Sequence, residues 1–336
     1  MTRQSVLRSL FALALGLFLS AAAHAQLFRT NIAPDGNDGN PCTLAAPCRL
    51  LPAALAAVID GGEIWMLGSA NYNTSPVSIA KSVTILAVPG ALGSVVAIGG
   101  NAINIATAGV KVSLRNLVIV PFIGGGGTNG INMTAGTSLT VENCLIANLP
   151  GTGIVADGVM NVLVTDSTVR GNGGNGLLVQ NGARATVTRT TVSGNSASSI
   201  YVRGNTASTI TTADIADSTM SSNSFGVYAY STNAGAVVKV SVRDSRAVGN
   251  TNEGITAESS GGSVAVSASN NIVSNNGGGI VSVAGGARVW ASGNTVSGNG
   301  VGLLNFAGGL FESASDNAVR NNSVQTSGTI TPVAKL

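Results

Sequence analysis

Along most of the chain, apolar and polar residues alternate in short runs such as VLVT from Val162, ATVT from Ala185, VKVSV from Val238 and VAVSA from Val264. Alternation with period two places one set of side chains on each face of a strand. Asn, Gly and Ser separate the runs, and no segment of the repeat carries a 3.6-residue apolar stripe of helical length. An asparagine closes the alternation eight times, at Asn148, Asn172, Asn195, Asn223, Asn250, Asn275, Asn299 and Asn322. The successive gaps are 24, 23, 28, 27, 25, 24 and 23 residues. Five positions before each anchor stands Asn143, Ser167, Thr190, Ser218, Ser245, Asn270, Asn294 or Asn317. A Gly-aliphatic pair usually follows the anchor, as in Gly176-Leu177 and Gly254-Ile255.

A repeat of this length with about three short strands per copy predicts one coil of a parallel β-helix, each strand pairing with its equivalent one coil away. A propeller blade would need about 40 residues and four antiparallel strands per copy. The expected fold is therefore all-β, a solenoid of coils of roughly 22–28 residues. Asn tolerates the left-handed angles of a tight bend, and its amide both donates and accepts. Stacked coil on coil, such amides predict a structural ladder made by Asn143, Asn172, Asn195, Asn223, Asn250, Asn270, Asn275, Asn294, Asn299, Asn317 and Asn322.

Composition sharpens this picture in two places. Charged residues are only 9% of the chain and Gly numbers 45, which suits a narrow core lined by small and β-branched side chains. Residues 1–25 read as a signal peptide: Arg3 and Arg8 precede an apolar stretch that ends in Ala23-His24-Ala25, an A-x-A cleavage site. Cleavage predicts a secreted, periplasmic or extracellular protein with no membrane span. It would also remove His24, the sole histidine, and leave 15 basic residues against 14 acidic ones, a balance that gives no cause to expect nucleic acid as a partner. Cys42 and Cys48 bracket a short Pro-containing loop and are expected to form a disulfide, leaving Cys144 as an unpaired structural thiol.

The segment before the repeats is organised differently, and 26–90 is expected to hold an N-terminal cap and the first coils. The β-helix is expected over 91–324, with a tail over 325–336. LPAALAAV from Leu51 predicts a short capping helix with Pro52 at its start and Gly61-Gly62 past its end. DGNDGNPCT from Asp35, PCRLL from Pro47, GGEIWML from Gly61, Tyr72 and KSVTIL from Lys81 together resemble the opening of bacterial secreted right-handed β-helix proteins. They are similar, more distantly, to the first coil of pectin methylesterases and other pectate-lyase-like proteins. The resemblance covers about a sixth of the chain, and it implies the right hand of the helix, export and a capped first coil. Leu50 stands where the pattern commonly has Thr, which removes a hydroxyl helix cap.

Several activities found on such folds lack their residues here, since no Asp-Asp pair and no DPHD, DFIFG or LGRPW run occurs. Two constellations remain. Six positions before the anchors lie Glu142, Asp166, Arg189, Asp217, Asp244, Ser269, Gly293 and Asp316, an outward charged column. It predicts either a ladder of surface ion pairs or a lyase site with Asp217, Asp244 and Arg189 in catalysis and Asp166, Asp217 and Asp244 on Ca²⁺. No other cofactor is expected. In the second constellation Tyr201 and Tyr228 fall at equivalent positions of successive coils with Tyr230 beside them, a flat platform on which polysaccharide rings would lie. The functional expectation is a non-catalytic binder of polysaccharide, with the lyase and a purely structural or adhesive solenoid as alternatives.

Overall fold

The computed structural model describes residues 27–334; the signal-peptide segment lies outside the described residues. Each repeat winds one coil of three strands, such as Asn161–Thr165, Thr168–Arg170 and Leu177–Gln180, before Arg184–Thr188 begins the next. Equivalent strands pair in parallel, giving a first sheet of 13 strands and second and third sheets of 11 each. The result is a β-solenoid of about 11 turns. The first sheet begins at Leu27–Ile32 and ends at Thr331–Pro332, so pairing continues to the end of the described chain.

Period-two burial follows directly from the sequence alternation. In Val237–Arg243 the residues Val238, Val240 and Val242 point into the core, while Lys239, Ser241 and Arg243 point out. Stacking also explains the recurrent glycines. A Cβ on Gly153, Gly176, Gly226, Gly254, Gly279 or Gly302 would collide with a carbonyl oxygen of the following coil. The close approach is possible only without a side chain.

Inside the turn from the second to the third sheet runs a continuous amide ladder. Nδ2 of Asn172 donates to Oδ1 of Asn195 (2.8 Å), Asn195 to Asn223 (2.9 Å), and Asn223 to Asn250 (3.2 Å). Asn250 donates to Asn276, Asn276 to Asn299 and Asn299 to Asn322, each at 2.9 Å. Each Oδ1 also accepts the backbone N–H of the preceding member, as from Asn195 to Asn223 at 2.8 Å. In this turn the expected ladder is corrected at one rung, since Asn275 is exposed at φ 57° and Asn276 is the inward member; the repeat anchor Asn148 is likewise exposed, at φ 60°, and Leu149 follows it in the column. The position before each rung is the left-handed corner of the turn, filled elsewhere by Gly171, Gly194, Ser222, Gly249, Gly298 and Asn321.

A second ladder lines the turn from the first to the second sheet. It reads Cys144, Ser167, Thr190, Ser218, Ser245, Asn271, Asn294 and Asn317, each accepting the backbone N–H of the member before it. Here Asn143 and Asn270 are the exposed corner residues, at φ 54° and 56°, and Cys144 and Asn271 are the inward members. Cys144 is therefore part of a ladder: its Sγ accepts the N–H of Leu117 at 3.4 Å.

The N-terminal end is closed by helix α1, Leu51–Ala57, which buries Leu51 and Ala54 over the first coil. Leu50 makes no side-chain cap. The Asp38 carboxylate holds the backbone that leads into the helix, accepting the N–H groups of Arg49 and Leu50 at 2.8 Å each. The helix passes straight into the strand Val58–Met66, and Lys81 donates to the carbonyls of Ala56 and Val58 at its end. Cys42 and Cys48 are joined in a disulfide, and Asn31 bonds the backbone of both. No helix among the described residues is long and apolar enough to cross a membrane.

Because Asn294 accepts from Asn271 and donates to Asn317 and to the carbonyl of Ala268, Asn294→Leu leaves buried polar groups unpaired on both sides. We expect a loss of about 1–3 kcal/mol in denaturant melts. Asn275→Gly, at an exposed left-handed corner, should change stability by under about 0.5 kcal/mol; equal losses for the two variants would refute the register.

Candidate functional site

Three outward surfaces carry the chemically active side chains: the corner between the first two sheets, the third sheet, and the first sheet. The corner holds Asn116, Asn143, Asp166, Arg189, Asp217, Asp244 and Asn270, all with φ between 46° and 56°. Asn and Asp tolerate this left-handed geometry, so the acidic column has a backbone cause independent of any reaction. Glu142 and Ser269, expected in the same column, lie one residue earlier, on the first sheet, and Glu142 pairs with Arg115 at 2.9 Å.

Arg189 is the unusual occupant of the corner, because a long side chain gains nothing locally from positive φ. It grips Asp166 with two bonds, Nε to Oδ1 at 2.7 Å and Nη2 to Oδ2 at 2.8 Å, and Nη2 also donates to Thr165 Oγ1. Hydrogen bonds from Arg189 and then Thr165 hold the Asp166 carboxyl down to about 2. Asp217 follows one coil on, and its charge reaches Arg189. Arg243 lies between Asp214 (3.8 Å) and Asp244 (3.7 Å). The column thus interleaves acids and arginines, and among the described residues no three His, Cys, Asp or Glu side chains gather closely enough to hold a metal ion. Asp166, Asp217 and Asp244 stand one per coil on a convex edge, with Asp166 committed to Arg189.

On the third sheet Tyr201 and Tyr228 pair in register, as do Arg203 and Tyr230. The expected flat platform is replaced by a stack. The Tyr201 and Tyr228 rings lie 5.1 Å apart at 10°, and Tyr228 and Tyr230 lie 5.5 Å apart at 10°. Residues one coil apart are separated along the axis by about 4.8 Å, little more than the thickness of one ring, so the Tyr201 and Tyr228 rings turn their faces to each other and their edges outward. Phe225 joins at 4.6 Å from Tyr228. Strict alternation would put Phe225 and Tyr228 on opposite faces; Gly226 and Val227 are both buried, and this break brings the two rings together. Tyr228 donates to Glu258 Oε2 at 2.7 Å, and Tyr230 shares a hydrogen bond with Ser260 at 3.0 Å. Burial, followed by that bond to Glu258, raises the Tyr228 hydroxyl well above its ordinary value. Burial also raises Glu253 on the same face.

The first sheet carries a feature that the sequence did not disclose. Two adjoining hollows of about 480 Å³ and 330 Å³ share Ala213 and form a shallow trough along its outward face. Register places Ser138, Asn161, Arg184, Thr212, Lys239, Ala265 and Arg288 in one line. A parallel line runs through Thr140, Leu163, Thr186, Asp214, Ser241, Ser267 and Trp290. Arg184, Lys239 and Arg288 recur every second coil, about 10 Å apart along the axis. Asp214 is the one carboxylate lining either hollow, and Arg243 contacts it. The cations come from separate copies of the repeat, at 55- and 49-residue intervals, and only the register reveals their alignment.

Comparison with known proteins places this geometry in a family context. The family model described as right handed beta helix region matches residues 152–324, a little over half of the chain. The solved structure of pectate lyase Pel9A is 16% identical with a TM-score of 0.55, covering 88% of this chain and 79% of that one. The A-module of the Azotobacter vinelandii mannuronan C-5 epimerase AlgE6 is 13% identical with a TM-score of 0.54, covering 85% and 95%. The Dettilon tailspike protein is 13% identical with a TM-score of 0.59, covering 90% and 68%. No curated protein matches the chain. At these identities the structural likenesses show the fold alone.

Two outcomes follow from the corner and the ladder. The folded Asp166 value lies below the ordinary value of about 3.9, so its ion pair stabilises the fold above that value and is lost as pH falls toward about 2. Carboxyl NMR titration should give a midpoint near 2 that returns to the ordinary range in Arg189→Ala; an unchanged midpoint would show that the pair does not form in solution. Burial pushes the Cys144 thiol up to about 11, so iodoacetamide at pH 8 should label it only after unfolding.

Proposed function

The chain belongs to the right-handed β-helix family, of pectate-lyase-like fold, and from that premise we propose that it is an exported, non-catalytic binder of acidic polysaccharide held along the trough of its first sheet. The observation that carries this reading is the line Arg184, Lys239 and Arg288, which repeats a cation every second coil above a floor of hydroxyl and amide groups. A linear polymer with charges at regular intervals matches a surface whose charges are regular for the same geometric reason. Trp290, half-buried at one end, offers an aromatic surface for a sugar ring, and Ser, Thr and Asn side chains supply donors and acceptors for hydroxyls. The trough is open, so affinity is expected to be moderate and to depend on many weak contacts.

Export is supported by the disulfide of the cap, which persists in oxidising compartments, and by the signal-peptide reading of residues 1–25. Two of the structural neighbours are named for pectate and for mannuronan, which agrees with an anionic polymer as ligand. Among residues 27–334 there is no histidine, and the one carboxylate of the trough lies beside an arginine, so neither a histidine nor a free carboxylate stands there to act as base. The reading needs no calcium.

Titration of the protein against polygalacturonate, alginate and dextran tests it. The two acidic polymers should bind and dextran should not, and affinity should fall as salt rises. The combined change Arg184→Ala, Lys239→Ala and Arg288→Ala should weaken binding at least tenfold, with EDTA without effect and Tyr201→Ala with Tyr228→Ala neutral. Undiminished binding by the triple variant would refute the trough. Unsaturated products formed with Ca²⁺ and lost in Asp217→Ala would establish the lyase reading instead.

A further inference from the structure

The third sheet presents a surface of opposite character. Its outward positions around Tyr228 hold two glutamates, Glu253 and Glu258, on the strand Glu253–Ser259, and neither makes an ion pair among the described residues. Glu258 is anchored by the hydroxyl of Tyr228 at 2.7 Å. The stem of Glu253 leans over Gly278, where an added Cβ would meet its Cγ at 2.8 Å and Val281 at 3.0 Å. Between them on the same strand sits Thr256, paired in register with Tyr228 on one side and Val281 on the other. Burial, and then the charge of Glu258, raise the Glu253 carboxyl above its ordinary value. The arginine on the same outward line, Arg203, stands two coils from Glu258 with Tyr230 in between.

An independent observation concerns unpartnered polar atoms. Thr256 is only 2% exposed, yet its hydroxyl has no hydrogen-bond partner among the described residues. Gln180 Oε1 and Arg203 Nε, in the neighbouring outward line, are buried and unpartnered as well. Buried polar atoms are nearly always paired in folded proteins, so a concentration of orphans on one face marks a place where partners come from outside.

We propose that this face is a second binding site, for a glycan that carries protonated amino groups, that is, a polymer of 2-amino-2-deoxyhexose. An ammonium group beside each unpaired carboxylate gains charge-assisted hydrogen bonds and offsets the repulsion between them. Hydroxyl and amide orphans at Thr256 and Gln180 suit the hydroxyls of a sugar, which a simple amine lacks. The site stands on different residues from the trough of the first sheet and does not rest on the reading given for it.

Calorimetric titration of the full chain with a glucosamine hexamer, its fully N-acetylated counterpart and a lysine hexamer tests the proposal. The glucosamine hexamer should bind at least tenfold more tightly than either of the others. Glu253→Gln with Glu258→Gln should abolish that preference with an unchanged melting temperature, whereas the triple trough variant should keep it. Should the double variant fail to fold, Tyr228→Phe, which removes only the hydroxyl that positions Glu258, should weaken the preference. Equal affinity for the two sugar hexamers, no binding of the glucosamine hexamer, a lysine hexamer bound as tightly, or a preference that survives loss of both carboxylates would each overturn the proposal.

Discussion

The solenoid depends on one constraint: each strand is paired, in parallel and in register, with its equivalent one coil away. The spacing of about 4.8 Å between strands is then imposed on every column of side chains. Where the column is inward and apolar, it builds the core. Where it is inward and polar, it must bond along the axis or remain unsatisfied, and the asparagine ladder from Asn172 to Asn322 is the solution. An Asn amide is suited to this task because it accepts with Oδ1 and donates with Nδ2, so one residue type closes both sides of every rung.

The same spacing governs the outside. Like charges in one column repel, and the corner column relieves this by placing Arg189 between Asp166 and Asp217. Aromatic rings in one column stack face to face, as Tyr201 and Tyr228 do, and lose the broad face that a lone exposed tyrosine would offer. Cations placed in alternate coils, as at Arg184, Lys239 and Arg288, avoid each other and still present a regular array. The solenoid therefore converts sequence spacing into a ruled surface, with a cationic trough on one sheet and an acidic-aromatic face on another.

The N-terminal cap obeys a different logic, since an end coil has no neighbour on one side. Helix α1 covers the apolar core there, Asp38 holds the backbone leading into it, and the Cys42–Cys48 disulfide pins the loop that carries Asp38. These are local devices, and most of their residues are contiguous in sequence, which is why the cap could be read from the chain.

The sequence by itself determined the repeat, the coil, the alternation of inward and outward positions, the capping helix and the disulfide, because each arises from residues within one copy or one short segment. Register within the repeat was legible only to the nearest residue. Asn143-Cys144, Asn270-Asn271 and Asn275-Asn276 each offer Asn to a corner that accepts it at positive φ and sit beside an inward position that also accepts it or a near substitute. Both places reward the same side chain, so composition cannot tell which is which; the hydrogen bonds can. Tertiary structure alone decided how surface side chains meet: the face-to-face stacking of the rings around Tyr228, the unpaired Glu253 and Glu258, and the line of cations in the trough. The relations that cross coils join residues 27 to 55 positions apart, and loop insertions that vary from coil to coil hide them until the strands are paired.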